Sequence, residues 1–314
     1  MKFGGDCLAT PKNQLIVSNI ITSFKGKSLV VCSAMGRDGF PYSTFNLNKI
    51  CEEKTISLKE RDRLLSLGET ISSIRMSSIL NMNQRKSYAL SYLETGLICD
   101  NCFGNGNIVK DDTNHIKDFL KDYETLLVPG FIGKTEDNEV ITLGRGNSDL
   151  TAIYLAKMMN VNEVYLFKNV EGVYHTSPNV YKQLKVYDYL SYQQMLVLNS
   201  IGFEIVSRKA LIAAEKYHIE INVKSFLNLE NGTLISSKAS NDVFLGFNII
   251  DKIVKVASFD TKLIQKSIKE ELAKVHIFTK NEVLDDNVYS FEINKSILPS
   301  VKKTLIKVMN ELNK

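Results

Sequence analysis

The chain has 314 residues, 44% of them apolar and 24% charged, with a formal net charge of +4. That length accommodates two domains with cores of their own, and so small a charge, spread over scattered lysines, excludes a nucleic-acid surface. No apolar run reaches the roughly 18 residues a membrane span needs; MKFGGDCLAT lacks a signal-peptide core, and five cysteines without framework spacing suit reduced thiols in a cytoplasmic protein.

Lys2-Phe3-Gly4-Gly5 predicts a very short first strand that runs into a turn. Residues 27–34, KSLVVCSA, read as a buried strand and residues 36–44 as a polar loop. Residues 66–80 carry apolar side chains at near-helical spacing, and residues 125–132 form a second buried strand broken at Pro129-Gly130. A helix over 150–159, a strand over 163–167, a loop to about 184, helices over 191–198 and 207–217 and a strand over 220–225 follow. Strands alternating with helices, without hairpin signals between them, predict an α/β layered unit with a largely parallel sheet. Small polar residues over 234–241 read as a linker. Beyond it come a strand (253–258), an amphipathic helix (262–273), strands over 275–279 and 288–293, and a helix over 299–312 with proline in its first turn. That order opens a ferredoxin-like βαββαβ unit, whose last strand residues 243–247 could supply.

Several residues could carry chemistry. Gly4 and Gly5 free backbone N–H groups to approach an anion, and Lys2 adds a full charge, although Gly-Gly is also an ordinary turn. In Gly144-Arg145-Gly146-Asn147-Ser148-Asp149, glycines on both sides let the chain bend around a guanidinium that can fork onto a carboxylate. Ser148 or Asp149 can cap the next helix; capping alone explains Asp149 but not the paired glycines. Glu69, read as preceding a helix, could complement the helix dipole or accept from a substrate ammonium. Ser33 ends a predicted strand, where open α/β sheets bind ligands, and Thr44 lies in the following loop. Cys99-x-x-Cys102 has no second pair or nearby histidine, so it reads as a loop and no metal site is assigned.

Taken together, KFGG, VVCSAMGRDGFPYST, LGE, PGFIGKTEDNEVITLGRGNSD, NVEGVYHTSP and NGTLIS occur in the order seen in aspartokinases of the amino-acid kinase family, which residues 1–237 resemble. The resemblance implies an αβα sandwich kinase domain over 1–237 and an ACT-type regulatory and dimerisation domain over 238–314. It implies ATP-dependent phosphorylation of L-aspartate to 4-phospho-L-aspartate with Mg²⁺, at the head of the lysine, threonine and methionine pathways. It also implies a homodimer and an amino-acid effector at the ACT-like domain. By motif, Lys2 would hold the transferring phosphoryl group and Asp149 would organise Lys2. Ser33, Thr44, Glu69, Arg145 and Ser148 would bind aspartate, and Gly4, Gly5, Lys168, Asn169, Tyr174 and Glu204 would fall at the nucleotide.

This sequence departs from the family on the nucleotide side. Asp6-Cys7 stand where the pattern has Thr/Ser then Ser, and Lys168-Asn169 where it has Thr-Asp. Ser177 and Asn179 replace an aspartate and an arginine, and Glu204 replaces a lysine. Two readings follow: an aspartate kinase with a rebuilt nucleotide pocket, or a catalytically impaired amino-acid-binding or regulatory relative.

Overall fold

The computed structural model describes residues 1–51, 55–144, 146–176, 186–238 and 244–312. The first part of the chain supplies β1 (Lys2–Phe3), α1 (Pro11–Ser23), β2 (Ser28–Cys32), α2 (Thr44–Asn48), α3 (Leu58–Met82), β3 (Ser87–Ala89), β4 (Leu97–Cys99), β5 (Ile108–Asp111) and α4 (Asn114–Asp122). Then come β6 (Thr125–Pro129), β7 (Ile132–Lys134), β8 (Val140–Thr142), α5 (Ser148–Met158), β9 (Glu163–Lys168), β10 (Tyr189–Ser191), α6 (Tyr192–Ser200), α7 (Arg208–Tyr217), β11 (Glu220–Ser225) and β12 (Gly232–Ser236). The last part holds β13 (Leu245–Ile250), β14 (Ile253–Ser258), α8 (Thr261–Ala273), β15 (Lys280–Leu284), β16 (Val288–Glu292) and α9 (Leu298–Leu312).

Eight strands form the main sheet in the order β10-β12-β11-β9-β1-β2-β6-β3, parallel throughout except between β11 and β12. Alternation along β2 sorts two cores. Val31 joins the cluster beneath α5, α6 and α7, while Val30 and Cys32 join the one beneath α1 and α3. Each such apolar side chain, fully buried, contributes about 1.5–3 kcal/mol. The result is the expected αβα sandwich. A smaller sheet, β5-β4-β7-β8, packs near the start of α3, where Leu47, Leu65, Phe131, Ile132 and Val140 cluster.

α3 corrects the sequence reading. It starts eight residues before 66, because Ser57 and Glu60 close a capping box there, so Gly68 and Glu69 lie inside the helix rather than ahead of it. A glycine within a helix costs about 1 kcal/mol. Here a Cβ at 68 would lie 2.7 Å from Tyr42 O and 2.9 Å from Ala34 Cβ, so close approach requires it. α5 also starts earlier than expected: Asn147 is its N-cap and Ser148 and Asp149 occupy its first turn, so neither caps it. The predicted linker is in part strand, because β12 runs to Ser236.

The C-terminal sheet has the order β13-β14-β16-β15 and is antiparallel throughout, with α8 and α9 on its apolar face. This is the ferredoxin-like arrangement, its edge place taken by β13, which precedes the rest in sequence. The strand expected at 275–279 is displaced to β15. Val275 N–H and Ile277 N–H both return to Leu272 O, and His276 takes a φ of 56°, so VHI closes α8.

Candidate active site

β1, β2 and β9 are parallel neighbours, with Lys2 opposite Val31 and Leu166, so their C-terminal ends open on one cleft. α5 approaches that end because Gly130 has no side chain: a Cβ there would lie 2.7 Å from Ser148 Oγ. Its first turn brings Asp149 to the strand ends. Lys2 Nζ lies 2.8 Å from Asp149 Oδ1, and Lys168 Nζ lies 3.0 Å from Oδ2 and 3.1 Å from Oδ1. Asp149 and Lys2 are buried. Burial works to raise the Asp149 carboxyl, yet the Lys168 and Lys2 ammonium groups outweigh it and hold it at about 2. Burial presses Lys168 down to about 8; Asp149 opposes that shift and Lys2 adds to it.

The cleft encloses ≈ 470 Å³. Lys2, Gly4, Gly5, Ser33, Asp149, Lys168, Asn169 and Glu204 all line it, so eight of the sequence-predicted residues meet at one place. Nothing lies near a Cβ built on Gly4 except Phe167 O at 3.8 Å, so a side chain there would project into free space beside Lys2. Glu69 and Thr44 sit beside the cleft, behind Ser33 and Ala34. Ala34 N–H donates to Glu69 Oε1 at 3.1 Å and Thr44 Oγ1 donates to it at 3.5 Å. Glu69 Oε2 is buried with no partner among the described residues, and burial pushes the carboxyl up to about 8. Ser148 packs on Gly130 and Tyr174 bridges to Val186, and neither lines the cleft. Arg145, Ser177 and Asn179 lie outside the described residues.

Two departures in the sequence meet in space. Asn169 Nδ2 donates to Asp6 Oδ2 at 3.0 Å, and Arg37 Nε lies 3.0 and 2.9 Å from the two Asp6 oxygens. Asp6 therefore has partners of its own at the cleft wall. Cys7 is buried, its thiol pushed up to about 11 by burial while donating to Phe167 O. Glu204 is exposed at the cleft and has no ion pair among the described residues.

Three contributors escaped the sequence reading. Arg37 could have been found as the cation inside GRDG. Lys209 reaches Asn105 Oδ1 at 2.8 Å, Leu143 O at 3.3 Å and Gly106 O at 3.4 Å, stitching α7 to the loop ahead of α5. Asp62 is a buried carboxylate that accepts from Thr142 Oγ1 at 2.6 Å, Thr142 N–H at 3.0 Å and Gly104 N–H at 2.8 Å, fixing α3 against β8. No local pattern marks Lys209 or Asp62, since their partners are far away in sequence.

A model of the Amino acid kinase family matches residues 1–225. Aspartokinase 1 of Bacillus subtilis (strain 168) is 29% identical over 284 residues, covering 89% of this chain and 70% of that one. Across four such curated relatives this chain spans 63% to 78% of their length. Among solved structures, Clostridium acetobutylicum aspartate kinase aligns with a TM-score of 0.73 at 16% identity, covering 99% of this chain and 98% of that chain. E. coli aspartokinase III in complex with aspartate and ADP aligns with a TM-score of 0.66 at 19% identity, covering 99% and 83%. At those identities the structures establish a common fold, and the family match covers the strands and glycine turns that build the cleft. The chain belongs to the amino acid kinase family and is similar to its aspartokinases.

Proposed function

We propose that the chain is an ATP-dependent aspartate kinase, making 4-phospho-L-aspartate as the entry to aspartate-derived lysine, threonine and methionine. The carrying observation is the Lys2–Asp149 pair, 2.8 Å apart beside Gly4 and Gly5. A solved relative holds aspartate and ADP, and the two ends of this cleft suit those molecules. In this reading Gly4 leaves room for the phosphates, Gly5 packs on the Ala34 and Gly36 carbonyls to shape the turn that meets them, Lys2 neutralises the transferring group, and Asp149 holds Lys2 in place. Lys168, Asn169, Tyr174 and Glu204 contact the nucleotide. Glu69 accepts from the substrate ammonium, Arg145 pairs with a substrate carboxylate, and Ser33, Thr44 and Ser148 line the amino-acid side. Catalysis is then positioning and charge neutralisation, with little covalent work for the protein.

Mg²⁺ would neutralise part of the charge on the β- and γ-phosphates. Asp149 is engaged by two lysines and Asp6 by Arg37 and Asn169, which leaves Glu204, among the described residues, as the cleft carboxylate suited to meet the metal. Residues 1–237 would be the catalytic unit and 238–314 an ACT-like unit that binds an amino-acid effector and pairs two chains. The five free thiols suit the reducing cytoplasm. Among the described residues no helix is long and apolar enough to cross a membrane.

A coupled ADP-release assay over a panel of acidic amino acids tests the reading, with Lys2→Ala as control. Aspartate-dependent release abolished by the control is expected. Aspartate binding without turnover would instead favour the impaired, regulatory relative.

A further inference from the structure

Asp149 is one carboxylate shared by two ammonium groups, with Lys2 at 2.8 Å and Lys168 at 3.0 Å. It can balance only one of them. The side chains of Asp149 and Lys2 are 3% and 6% exposed and that of Lys168 is 18% exposed, so a net positive charge sits at the ends of β1 and β9 with little water to screen it. An uncompensated buried charge is costly unless a further counter-charge arrives. Among the described residues, the other cations along the cleft are placed differently. Arg37 is held by Asp6, Lys209 is spent on Asn105 and on main-chain carbonyl oxygens, and Arg208 is exposed. Gly4, beside the pair, leaves open space where an anion could enter.

We infer that Lys168 is a catalytic cation: it gives up its share of Asp149 and pairs with the oxygens of the γ-phosphoryl group as that group is transferred. This rests on reading the cleft as a phosphotransfer site and adds to it a role in the transition state. In the transfer, the bond from the γ-phosphorus to the bridging oxygen breaks and its electron pair leaves on ADP. A bond forms between that phosphorus and an oxygen of the aspartate side-chain carboxylate. No proton crosses, so Lys168 stays an ammonium throughout. Lys2 keeps Asp149, and the surplus charge of the triad meets the surplus negative charge of the reacting group. Glu204, where the resemblance predicts a lysine, can then be acidic without leaving the phosphates short of a second protein cation.

The test compares the intact chain with Lys168→Met and Lys168→Arg. Losing one preorganised transition-state partner costs roughly 10²-fold in kcat. Lys168→Met should show that loss while ADP affinity by calorimetry changes by less than about threefold, and Lys168→Arg should recover most of the rate. A Lys168→Met enzyme with unchanged kcat would overturn the inference. So would a loss carried wholly by weaker ADP binding, because that marks a ground-state contact. A second measurement is independent of the acceptor. ADP with aluminium fluoride, a mimic of the transferring phosphoryl group, should bind the wild type more tightly than ADP alone, and Lys168→Met should lose that gain. Should the wild type fail to turn over aspartate, the aspartate reading falls while this comparison still decides the role of Lys168; equal gains in both proteins would refute it.

Discussion

The cleft and the buried carboxyl beside it are opposite in what they lack. At the β2–α3 end, Glu69 is a buried carboxyl with one oxygen lacking a partner, and burial holds it neutral until about pH 8. At the β1–β9 end, two lysines share one carboxylate that is held ionised down to about pH 2. One end is short of a cation and the other has one too many. A molecule with an ammonium at one side and a phosphoryl group at the other would satisfy both, and each end alone would be a poor site.

The sharpest way to break this comparison is Asp149→Asn, which leaves two lysines facing each other. Removing one partner of a buried ion pair costs about 3–5 kcal/mol, so thermal unfolding at pH 7 should shift down by several degrees and ADP release should be lost. The Asp149 carboxyl lies lower in the fold than in the unfolded chain, so its contribution is present above the unfolded value of 3.8 and lost as pH falls through about 2. The gap between wild type and Asp149→Asn should therefore close in strong acid; a gap independent of pH would contradict the triad.

Next in size is Glu69→Gln. A charged hydrogen bond contributes about 1.5–3 kcal/mol, so KM for aspartate should rise roughly tenfold to a hundredfold while KM for ATP holds. The free protein keeps Glu69 protonated at pH 7, so binding an ammonium should expel that proton. Calorimetry in two buffers of different ionisation enthalpy reads this directly. For stability the sign reverses from that of Asp149. A raised carboxyl contributes fully below its unfolded value of 4.5 and loses that contribution as pH rises through about 8. Glu69→Gln should gain on the wild type between pH 5 and 9.

A smaller effect is expected in the pH profile. Burial presses Lys168 down to about 8, Asp149 opposing that shift and Lys2 adding to it, while Cys7 and Asp6 stand on the neighbouring turn. The value of kcat/KM, which reports the free enzyme, should fall as pH passes about 8, and Lys168→Arg should move that limb upward. A limb unmoved by arginine would assign the titration to another group. Smallest is Asn248→Ala. Asn248 Nδ2 donates to Ile201 O at 3.0 Å, bracing the turn that leads to Glu204. Losing that bond costs about 1 kcal/mol and should raise KM for ATP modestly, with KM for aspartate unmoved.

Much of this was legible in the residues because the informative signals are local. Lys2-Phe3-Gly4-Gly5 needs only itself to propose a short strand and an open turn. The Gly144–Asp149 stretch likewise announces a bend before a helix, though it misplaced the cap by assigning it to Ser148 or Asp149. The apolar repeat understates α3, because its start depends on Ser57 and Glu60, which lie outside that repeat. The apolar VHI resembles a strand ahead of β15, but a left-handed His276 closes α8 there instead. The least legible feature is the shared use of Asp149. The residues place Lys168 at the nucleotide as a substitution and say nothing of its contact with Asp149, which joins α5 to the end of β9.

β13 is bonded along both margins. Toward β14 it forms a full antiparallel ladder. On its far side Phe247 N–H donates to His175 O at 3.0 Å, and Tyr187 Oη donates to Leu245 O at 2.6 Å. A ribbon held in this way by two bodies cannot shear with one and stay registered with the other. Heat should therefore dissolve both cores in a single step, and any strain imposed on the terminal sheet must either be resisted there or passed on to the loop that carries Asn169.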